Sequence, residues 1–408
     1  MSERDLLVYV HVPFCQSKCH FCDWVTGVAT QDLRLTSTAP MRQRYINALT
    51  EQIRVTGGRL TADGYRPRIM YWGGGTASAL AHDEMERVAS ALHATFDLSD
   101  LREATLECSP ETLTPAKLAL ARSIGFRRLS IGVQSLDDTR LRKIGRVHDA
   151  AQAADSLCMA HEAGFTDVSV DLICGFPNET IEEFEASIRR AVELPFNHCS
   201  LYPYRPAPGT VMMRTLNRYR TGRTWLEEQL AAYDVGRTYL TTKGLEEYAL
   251  SHFGRPRCHS DLAYFRLDMD WYGFGSGATS VLNGRYLATE RGALHRYVGA
   301  PTAVDDDLPV SSPAVAGRLA YQALTLPEGM VRGKWEDRLQ VAWDVALAIP
   351  PVRALIDYFE RSATVVRTDD ALRIPADRIA RAFITLLFLN APPAAQWSTG
   401  GRDAVGAY

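Results

Sequence analysis

The chain has 408 residues, of which 46% are apolar and 23% are charged. This length and composition are typical of a globular protein with one large domain and an appendage. The formal net charge is −3 and no long basic run is present, so binding to nucleic acid or to an anionic membrane is not expected. The charged N-terminal segment is unlike a secretory signal, and no apolar stretch approaches the roughly 18 residues of a membrane span. We therefore expect a cytosolic, monomeric protein that acts on a small molecule.

Strand-like and helix-like segments alternate through the first half of the chain. Predicted strands cover residues 6–12, 68–72, 103–108, 128–133, 168–173 and 198–202. Helical periodicity follows these strands near residues 45–53, 83–94, 114–123, 149–162 and 179–193. Six such repeats with mostly apolar strands predict an α/β protein with a parallel sheet, either curled into a partial barrel or doubly wound.

Three cysteines directly follow the first predicted strand. Cys15, Cys19 and Cys22 have the spacing C-x3-C-x2-C. Three thiolates on an iron–sulfur cubane would leave one iron open to another ligand. The alternative is a zinc site completed by His11 or His20, but zinc loops usually combine two such halves and the chain has no second half. The five remaining cysteines are isolated, and we expect them to be small apolar residues without disulfides.

Further motifs lie where the predicted strands end. In chain order they are YVHVPFCQSKCHFC, GGGT, ECSPETL, LSIGVQSLDD, IGRVH and VDLICGFPNET. This series resembles the radical S-adenosylmethionine (SAM) superfamily, in particular the branch typified by the oxygen-independent coproporphyrinogen III dehydrogenase. The resemblance extends over residues 6–290. It implies a partial (β/α)6 barrel, a [4Fe–4S] cluster on Cys15, Cys19 and Cys22, and SAM bound at the open iron.

The resemblance also implies which residues contact SAM. Glu107 would bind its ammonium group, Arg146 its carboxylate and Asp171 its ribose hydroxyls, because charged groups and carboxylates make strong hydrogen bonds. Glycines after the second strand would let the backbone approach SAM closely, although Ala77 stands where the family usually has proline. The residues predicted to contact this SAM are Tyr9, Phe21, Gly74, Gly75, Thr76, Glu107, Gln134, Arg146 and Asp171.

The predicted domain organisation has four parts. Residues 1–303 form the barrel with its branch-specific extension, and residues 304–313 form a linker rich in Asp and Pro. Residues 314–390 resemble a mostly helical, winged-helix-like domain, and residues 391–408 form a disordered tail. A polar segment at residues 23–40 is interpreted either as a substrate lid or as a surface loop without a role in binding.

Three functions are compatible with these motifs. Haem chaperones of this branch carry His-Asn-x-x-Tyr-Trp, whereas this chain, aligned on Tyr264 and Phe265, has Ser260 and Asp261 in place of His and Asn. The nearest histidine, His259, is displaced by one position. The dehydrogenase, a radical SAM oxidoreductase, usually has a longer arm before its cysteines. By elimination, the prediction is a class C radical SAM methyltransferase.

Class C enzymes bind two SAM molecules, and the resemblance implies the same here. The radical from one SAM removes hydrogen from the methyl group of the other, and the resulting methylene radical adds to an sp2 carbon, with methylation or cyclopropanation as the outcome. The substrate would be an aromatic or heteroaromatic biosynthetic intermediate, and flavodoxin or ferredoxin would donate electrons. Candidate catalytic residues are Tyr9, His148, Tyr204 and His252, with Arg205 beside the second SAM.

Overall fold

The computed structural model describes residues 3–23, 39–207, 209–215, 223–289, 294–362 and 364–389. Its strands are β1 (Arg4–Val12), β2 (Tyr65–Gly74), β3 (Glu103–Cys108), β4 (Arg128–Gln134), β5 (Asp167–Cys174), β6 (His198–Pro203), β7 (Glu246–Ala249), β8 (His252–Gly254), β9 (Asp270–Phe274), β10 (Thr279–Leu282), β11 (Arg285–Thr289), β12 (Val304–Pro309), β13 (Met330–Val331), β14 (Val366–Arg367) and β15 (Ala371–Arg373). All six predicted strands lie within β1 to β6.

The α-helices connect and cover these strands. They are α1 (Ala39–Gln52), α2 (Gly58–Ala62), α3 (His82–Thr95), α4 (Pro115–Ile124), α5 (Asp138–Lys143), α6 (Ala150–Glu162), α7 (Ile181–Val192), α8 (Val211–Thr215), α9 (Arg223–Thr242), α10 (His259–Arg266), α11 (Leu294–Gly299), α12 (Pro313–Leu324), α13 (Arg332–Leu339), α14 (Trp343–Ala348), α15 (Pro350–Arg361) and α16 (Ala376–Leu389). Local signals set several boundaries. For example, the Thr114 hydroxyl accepts from the Lys117 backbone N–H before α4, and Gly125 ends that helix at φ 110°.

The main sheet has the strand order β12-β11-β10-β9-β1-β2-β3-β4-β5-β6-β8-β7. Strands β1 to β6 are parallel neighbours, and β9 adds in parallel to β1. On the far edges, β8 pairs antiparallel with β6, and β10 to β12 form antiparallel pairs beyond β9. The central strands are therefore joined by helical crossovers, as the sequence predicted.

The parallel strands have one apolar and one polar face. Val10, Trp72 and Leu106 belong to the buried core. On the other face, Tyr71 donates to Glu107, and the Ser130 hydroxyl donates to Asp171. The few polar residues of these mostly apolar strands share one face, because alternate residues of a strand point to opposite sides.

The sheet curls around its polar face. At the start of α10, the backbone N–H of Ser260 donates to Glu103 on β3. The next residue, Asp261, has its carboxylate 3.7 Å from His198 on β6. In a flat sheet these strands would lie about 14 Å apart, at three spacings of roughly 4.8 Å. Neighbouring residues of α10 thus contact both strands, an arrangement that is compatible with the predicted partial barrel.

The C-terminal part is mostly helical, as predicted, and includes the small sheet β13-β15-β14. The predicted linker differs from the structure. Residues Val304–Pro309 form β12, which pairs with β11, because its backbone groups complete the edge of the main sheet. Most of the predicted lid (residues 24–38) and the tail lie outside the described residues. In the part of the chain that is described, no helix has both the length and the apolar character to cross a bilayer.

Candidate active site

The cysteine loop lies at the carboxyl end of β1. Phe14 is buried and packs its ring 5.2 Å from that of Tyr45, which anchors the start of the loop. The Gly75 backbone N–H donates to the Val12 carbonyl at 2.8 Å, and the His20 N–H donates to the Ile144 carbonyl at 2.8 Å. The loop is thus attached to the segments that follow β2 and α5, and its position is fixed by tertiary contacts.

The three cysteines of the predicted cluster site lie on this loop. Cys15, Cys19 and Cys22 are not in disulfides and are partly exposed. An added Cβ at Gly75 would lie 2.9 Å from the Sγ of Cys15, so only glycine leaves this side of the sulfur open. The ligand atoms of a single zinc ion all lie about 2 Å from the metal. Within the described chain, the three Sγ atoms do not all lie within 4.8 Å of one another, and this wider spacing favours a multi-iron cluster over a single zinc ion.

Glu107 lies beside the loop that follows β2. Its Oε1 accepts from the Tyr71 hydroxyl at 2.7 Å, and its Oε2 accepts from the Gly74 N–H at 2.8 Å. Burial raises the pKa of Glu107 to about 7, although both hydrogen bonds lower this pKa in part. Tyr9 stacks on Tyr71 with ring centroids 6.0 Å apart. A cationic ligand group here would stabilise the ionised carboxylate.

Gly74 has the backbone conformation φ +117°, which L side chains rarely adopt. An added Cβ would also lie 2.7 Å from the His11 ring. Both observations explain why glycine occupies the position that presents its N–H to Glu107.

Arg146 connects the cysteine loop with two strand ends. Its Nη1 donates to the Sγ of Cys19 at 3.3 Å, and its Nη2 donates to the Gly132 carbonyl at 2.6 Å and to the Ser109 hydroxyl. Glu111 lies 3.9 Å from the same guanidinium. The side chain is therefore held in place while its positive charge stays at the end of the polar face.

His148 is not free to move as an isolated base. Its Nδ1 lies 3.3 Å from Glu111 Oε2 and its Nε2 lies 3.1 Å from the Val133 carbonyl oxygen. Burial opposes ionisation of Glu111, but the hydrogen bonds of His148 and Ser109 and the charge of Arg146 lower its pKa to about 2 overall. The sequence interpretation overlooked Glu111 and Ser109, although both lie in the ECSPETL segment.

Asp171 and Gln134 occupy the neighbouring strands. Asp171 accepts from the Ser130 hydroxyl at 3.3 Å, and burial raises its pKa to about 6. Gln134 ends β4 with φ 70°, so the chain turns sharply there. Thr76, after β2, has its hydroxyl 3.8 Å from the Sγ of Cys15. The side chains predicted for the SAM site thus line adjacent strand ends.

Aromatic side chains form an apolar wall next to the loop. The Phe21 ring lies 6.1 Å from Phe176, Phe176 lies 5.2 Å from Tyr204, and Tyr204 lies 6.1 Å from Trp225. Nearby, Arg205 donates to Asp23 at 2.9 Å, directly after the last cysteine. Phe21, Tyr204 and Arg205 therefore lie on the cysteine side of the molecule.

His252, a predicted catalytic residue, lies beside the middle of β6, with its ring 6.0 Å from that of Tyr202, and it influences Asp171 electrostatically. His252 pairs across strands with Ser200 and lies next to Asp261, with Nδ1 3.2 Å from Oδ2. Asp261 in turn lies near His198, the first residue of β6, whereas the cysteine loop lies at the carboxyl ends of the strands. Strand direction explains this placement, because β8 runs antiparallel to β6 and brings its first residue toward the middle of that strand.

Comparisons with known proteins agree with this architecture. The Radical SAM superfamily profile matches residues 9–191. Heme chaperone HemW of Lactococcus lactis is 30% identical over 309 residues, which is 74% of this chain and 76% of that protein. HemW of Escherichia coli is 28% identical over 70% of this chain and 73% of its own, and the oxygen-independent coproporphyrinogen III oxidase of Salmonella typhimurium is 28% identical over 72% and 65%.

Among solved structures, coproporphyrinogen III oxidase (HemN) from Escherichia coli superposes with a TM-score of 0.73 at 22% identity, over 96% of this chain and 91% of that one. This similarity confirms the predicted fold. The predicted cofactors, a [4Fe–4S] cluster and SAM, are those of the matching superfamily. The chain belongs to the radical SAM superfamily, in the branch that includes heme chaperone HemW and oxygen-independent coproporphyrinogen III oxidase.

Proposed function

We propose that this protein binds a [4Fe–4S] cluster and SAM and acts on a tetrapyrrole, in the first place as a haem chaperone. The observation that carries this proposal is the similarity to heme chaperone HemW from several organisms, at 28 to 30% identity over about 70% of both chains. These relatives favour a tetrapyrrole function over the methyltransferase predicted from the sequence. An oxidoreductase acting on a porphyrinogen is the enzymatic form of the same proposal, supported by the similarity to coproporphyrinogen III oxidase.

The SAM site is proposed to use the side chains at the ends of β1 to β5. When bound, the cluster supplies the single electron that cleaves SAM. Glu107 would hold the SAM ammonium group, since a buried carboxylate gains most from a cationic partner. Arg146 would bind the carboxylate of SAM, and Asp171 would accept from the ribose hydroxyls. Tyr71 and Ser109 would position Glu107 and Arg146.

Haem binding would require a ligand other than the side chains at positions 260 and 261. Ser260 is only 6% exposed, and its hydroxyl lies 3.1 Å from the Sγ of Cys258. Asp261 accepts from the Tyr248 hydroxyl at 2.8 Å. In contrast, His259 is exposed at the start of α10, while its backbone N–H donates to Glu103 at 2.7 Å. We propose His259 as the haem ligand in the chaperone hypothesis.

The contacts of Ser260 and Asp261 also support a second candidate function, class C methyl or methylene transfer. The positions where haem chaperones carry His and Asn hold Ser260 and Asp261, and both side chains have partners within the protein. A protein of this branch without that haem-binding pair would be left with SAM chemistry on a small molecule. In this hypothesis two SAM molecules would bind near Tyr9 and Gly75, with Tyr204 and Arg205 beside the second.

One experiment separates these functions. Cluster-loaded protein is titrated with haemin, and is incubated with methyl-deuterated SAM and either coproporphyrinogen III or aromatic substrates, with products identified by mass spectrometry. Saturable haemin binding that is lost in His259→Ala and kept in His161→Ala, which changes an exposed helical histidine, supports the chaperone function. Deuterated deoxyadenosine together with S-adenosylhomocysteine supports methylene transfer. Unlabelled deoxyadenosine with decarboxylated porphyrinogen supports the oxidoreductase.

A further inference from the structure

A second group of potential metal ligands lies on the polar face, away from the cysteine loop. His198 begins β6, His252 begins β8, and Asp261 lies in the first turn of α10. One ring nitrogen of each histidine and one oxygen of Asp261 all lie within 4.8 Å of one another. Oδ2 of Asp261 is 3.7 Å from Nε2 of His198 and 3.2 Å from Nδ1 of His252. Three elements that are distant in sequence thus contribute one ligand each.

His252 lacks the partners that a buried imidazole normally has. It is 4% exposed, and neither of its ring nitrogens makes a hydrogen bond within the described part of the chain. Although Nδ1 faces Asp261, their geometry is not that of a hydrogen bond. Buried polar groups are nearly always satisfied, because leaving one without a partner costs free energy. A cation between His252 and Asp261 would supply the missing partner of His252, while Asp261 already accepts from the Tyr248 hydroxyl at 2.8 Å.

His198 is already oriented as metal-bound histidines are. Its Nδ1 lies 2.8 Å from the Ser169 hydroxyl, and its Nε2 faces the Tyr248 hydroxyl, with Asp261 3.7 Å away. Ligating histidines typically use their second nitrogen for such a hydrogen bond. The Tyr248 hydroxyl, 2.7 Å from Nε2, would be displaced or would become a fourth ligand.

The local charge also favours a cation. The carboxylates of Glu103, Asp167 and Asp261 surround the single guanidinium of Arg128, which all three influence electrostatically. The Arg128 Nε lies 3.5 Å from Asp167. These three carboxylates outnumber the one guanidinium that they surround. A divalent ion would balance the remaining negative charge.

We propose that His198, His252 and Asp261 form a binding site for a divalent first-row transition-metal ion such as Zn²⁺, separate from the cluster. Two imidazoles and one carboxylate are a donor set that such ions prefer over Mg²⁺ or Ca²⁺. The ion would join β6, β8 and α10 and close the end of the barrel opposite the cysteines. The proposed tetrapyrrole and SAM functions do not depend on it.

The test uses the full-length protein with its cluster already loaded, so that the three cysteines are occupied. After treatment with a chelator, the protein is incubated anaerobically with Zn²⁺, desalted and analysed for zinc and iron. We expect about one zinc per chain in addition to the cluster iron, as for a single closed site. Asp261→Asn and His252→Ala should each weaken zinc binding by at least roughly 10-fold without changing the iron content. His161→Ala should bind zinc like the wild type.

Co²⁺ identifies the donor atoms. Visible bands of Co²⁺ without thiolate charge-transfer absorption would support nitrogen and oxygen ligands. Thiolate charge-transfer absorption, equal zinc in wild type and Asp261→Asn, or no zinc in the wild type would overturn the proposal. If His252→Ala does not fold, the zinc content of Asp261→Asn is the deciding measurement, because asparagine keeps the shape of the aspartate side chain.

Discussion

Nη1 of Arg146 donates a 3.3 Å hydrogen bond to the Sγ of Cys19, although 127 positions separate the two residues in the chain. The same guanidinium is fixed by the Gly132 carbonyl and by Ser109. A positive charge therefore lies where the predicted cluster and the carboxylate of SAM would meet.

Arg146→Lys should weaken SAM binding and leave cluster assembly intact. Lysine keeps the charge but cannot reach Cys19, Ser109 and Gly132 together, since it lacks the planar fork of donors. Losing a charged hydrogen bond costs about 1.5–3 kcal/mol, or roughly 10- to 100-fold in affinity. Equilibrium dialysis with SAM measures this loss. Arg142→Lys, at an exposed position of α5, is the matched control. Unchanged SAM affinity in Arg146→Lys would refute this role.

Replacing Cys15, Cys19 and Cys22 together by alanine should abolish the cluster. The wild type, reconstituted anaerobically, should contain about four irons per chain with broad visible absorbance, because thiolates are the usual cluster ligands. Iron analysis and absorption spectra check this result, with Cys158→Ala, an exposed cysteine on α6, as the control. A triple variant that keeps its iron, or a wild type that binds only zinc, would contradict the assignment.

Gly75→Ala should impair cluster incorporation. The new Cβ would lie 2.7 Å from the Phe14 carbonyl oxygen and 2.9 Å from the Sγ of Cys15, so the cysteine loop would have to move. Gly58→Ala adds the same methyl group to a helix, at a position where nothing lies within 4 Å. We expect less iron per chain in Gly75→Ala and normal iron in Gly58→Ala. Full iron content in Gly75→Ala would show that the loop adapts.

SAM affinity should depend on pH through Glu107. Burial raises the pKa of this carboxyl to about 7, so lowering the pH from 8 to 6 protonates it and removes the charge that would attract the ammonium group. The dissociation constant should rise roughly 10-fold over this range, as expected for one titrating group. Calorimetric titration at several pH values measures the trend.

Two variants test whether Glu107 causes this pH dependence. Glu107→Gln should bind SAM weakly at every pH and should lose the trend. Tyr71→Phe removes a hydrogen bond that favours the carboxylate, so the decline in affinity should begin at a higher pH. The same pH dependence in wild type and Glu107→Gln would assign the titration to another group.

The sequence alone was sufficient for much of the fold. Apolar residues at strand and helix spacing located β1 to β6, and signals such as Gly125 after α4 located helix ends, because these features depend on neighbouring residues. The order of the motifs also indicated the superfamily. The sequence did not reveal that Val304–Pro309, within the predicted linker, form β12, because the free edge of β11 is a feature of the folded chain.

Only the tertiary structure decided which polar side chains meet. Tyr71 with Glu107, and Glu111 with His148, are contacts between different elements. His252, predicted as a candidate catalytic residue, lies beside Asp261 because β8 pairs antiparallel with β6. Sequence patterns show which residues along one strand or helix are buried. Strand order, strand direction and the curl of the sheet determine which distant side chains come into contact. The register of β8 and the position of α10 therefore had to come from the folded chain.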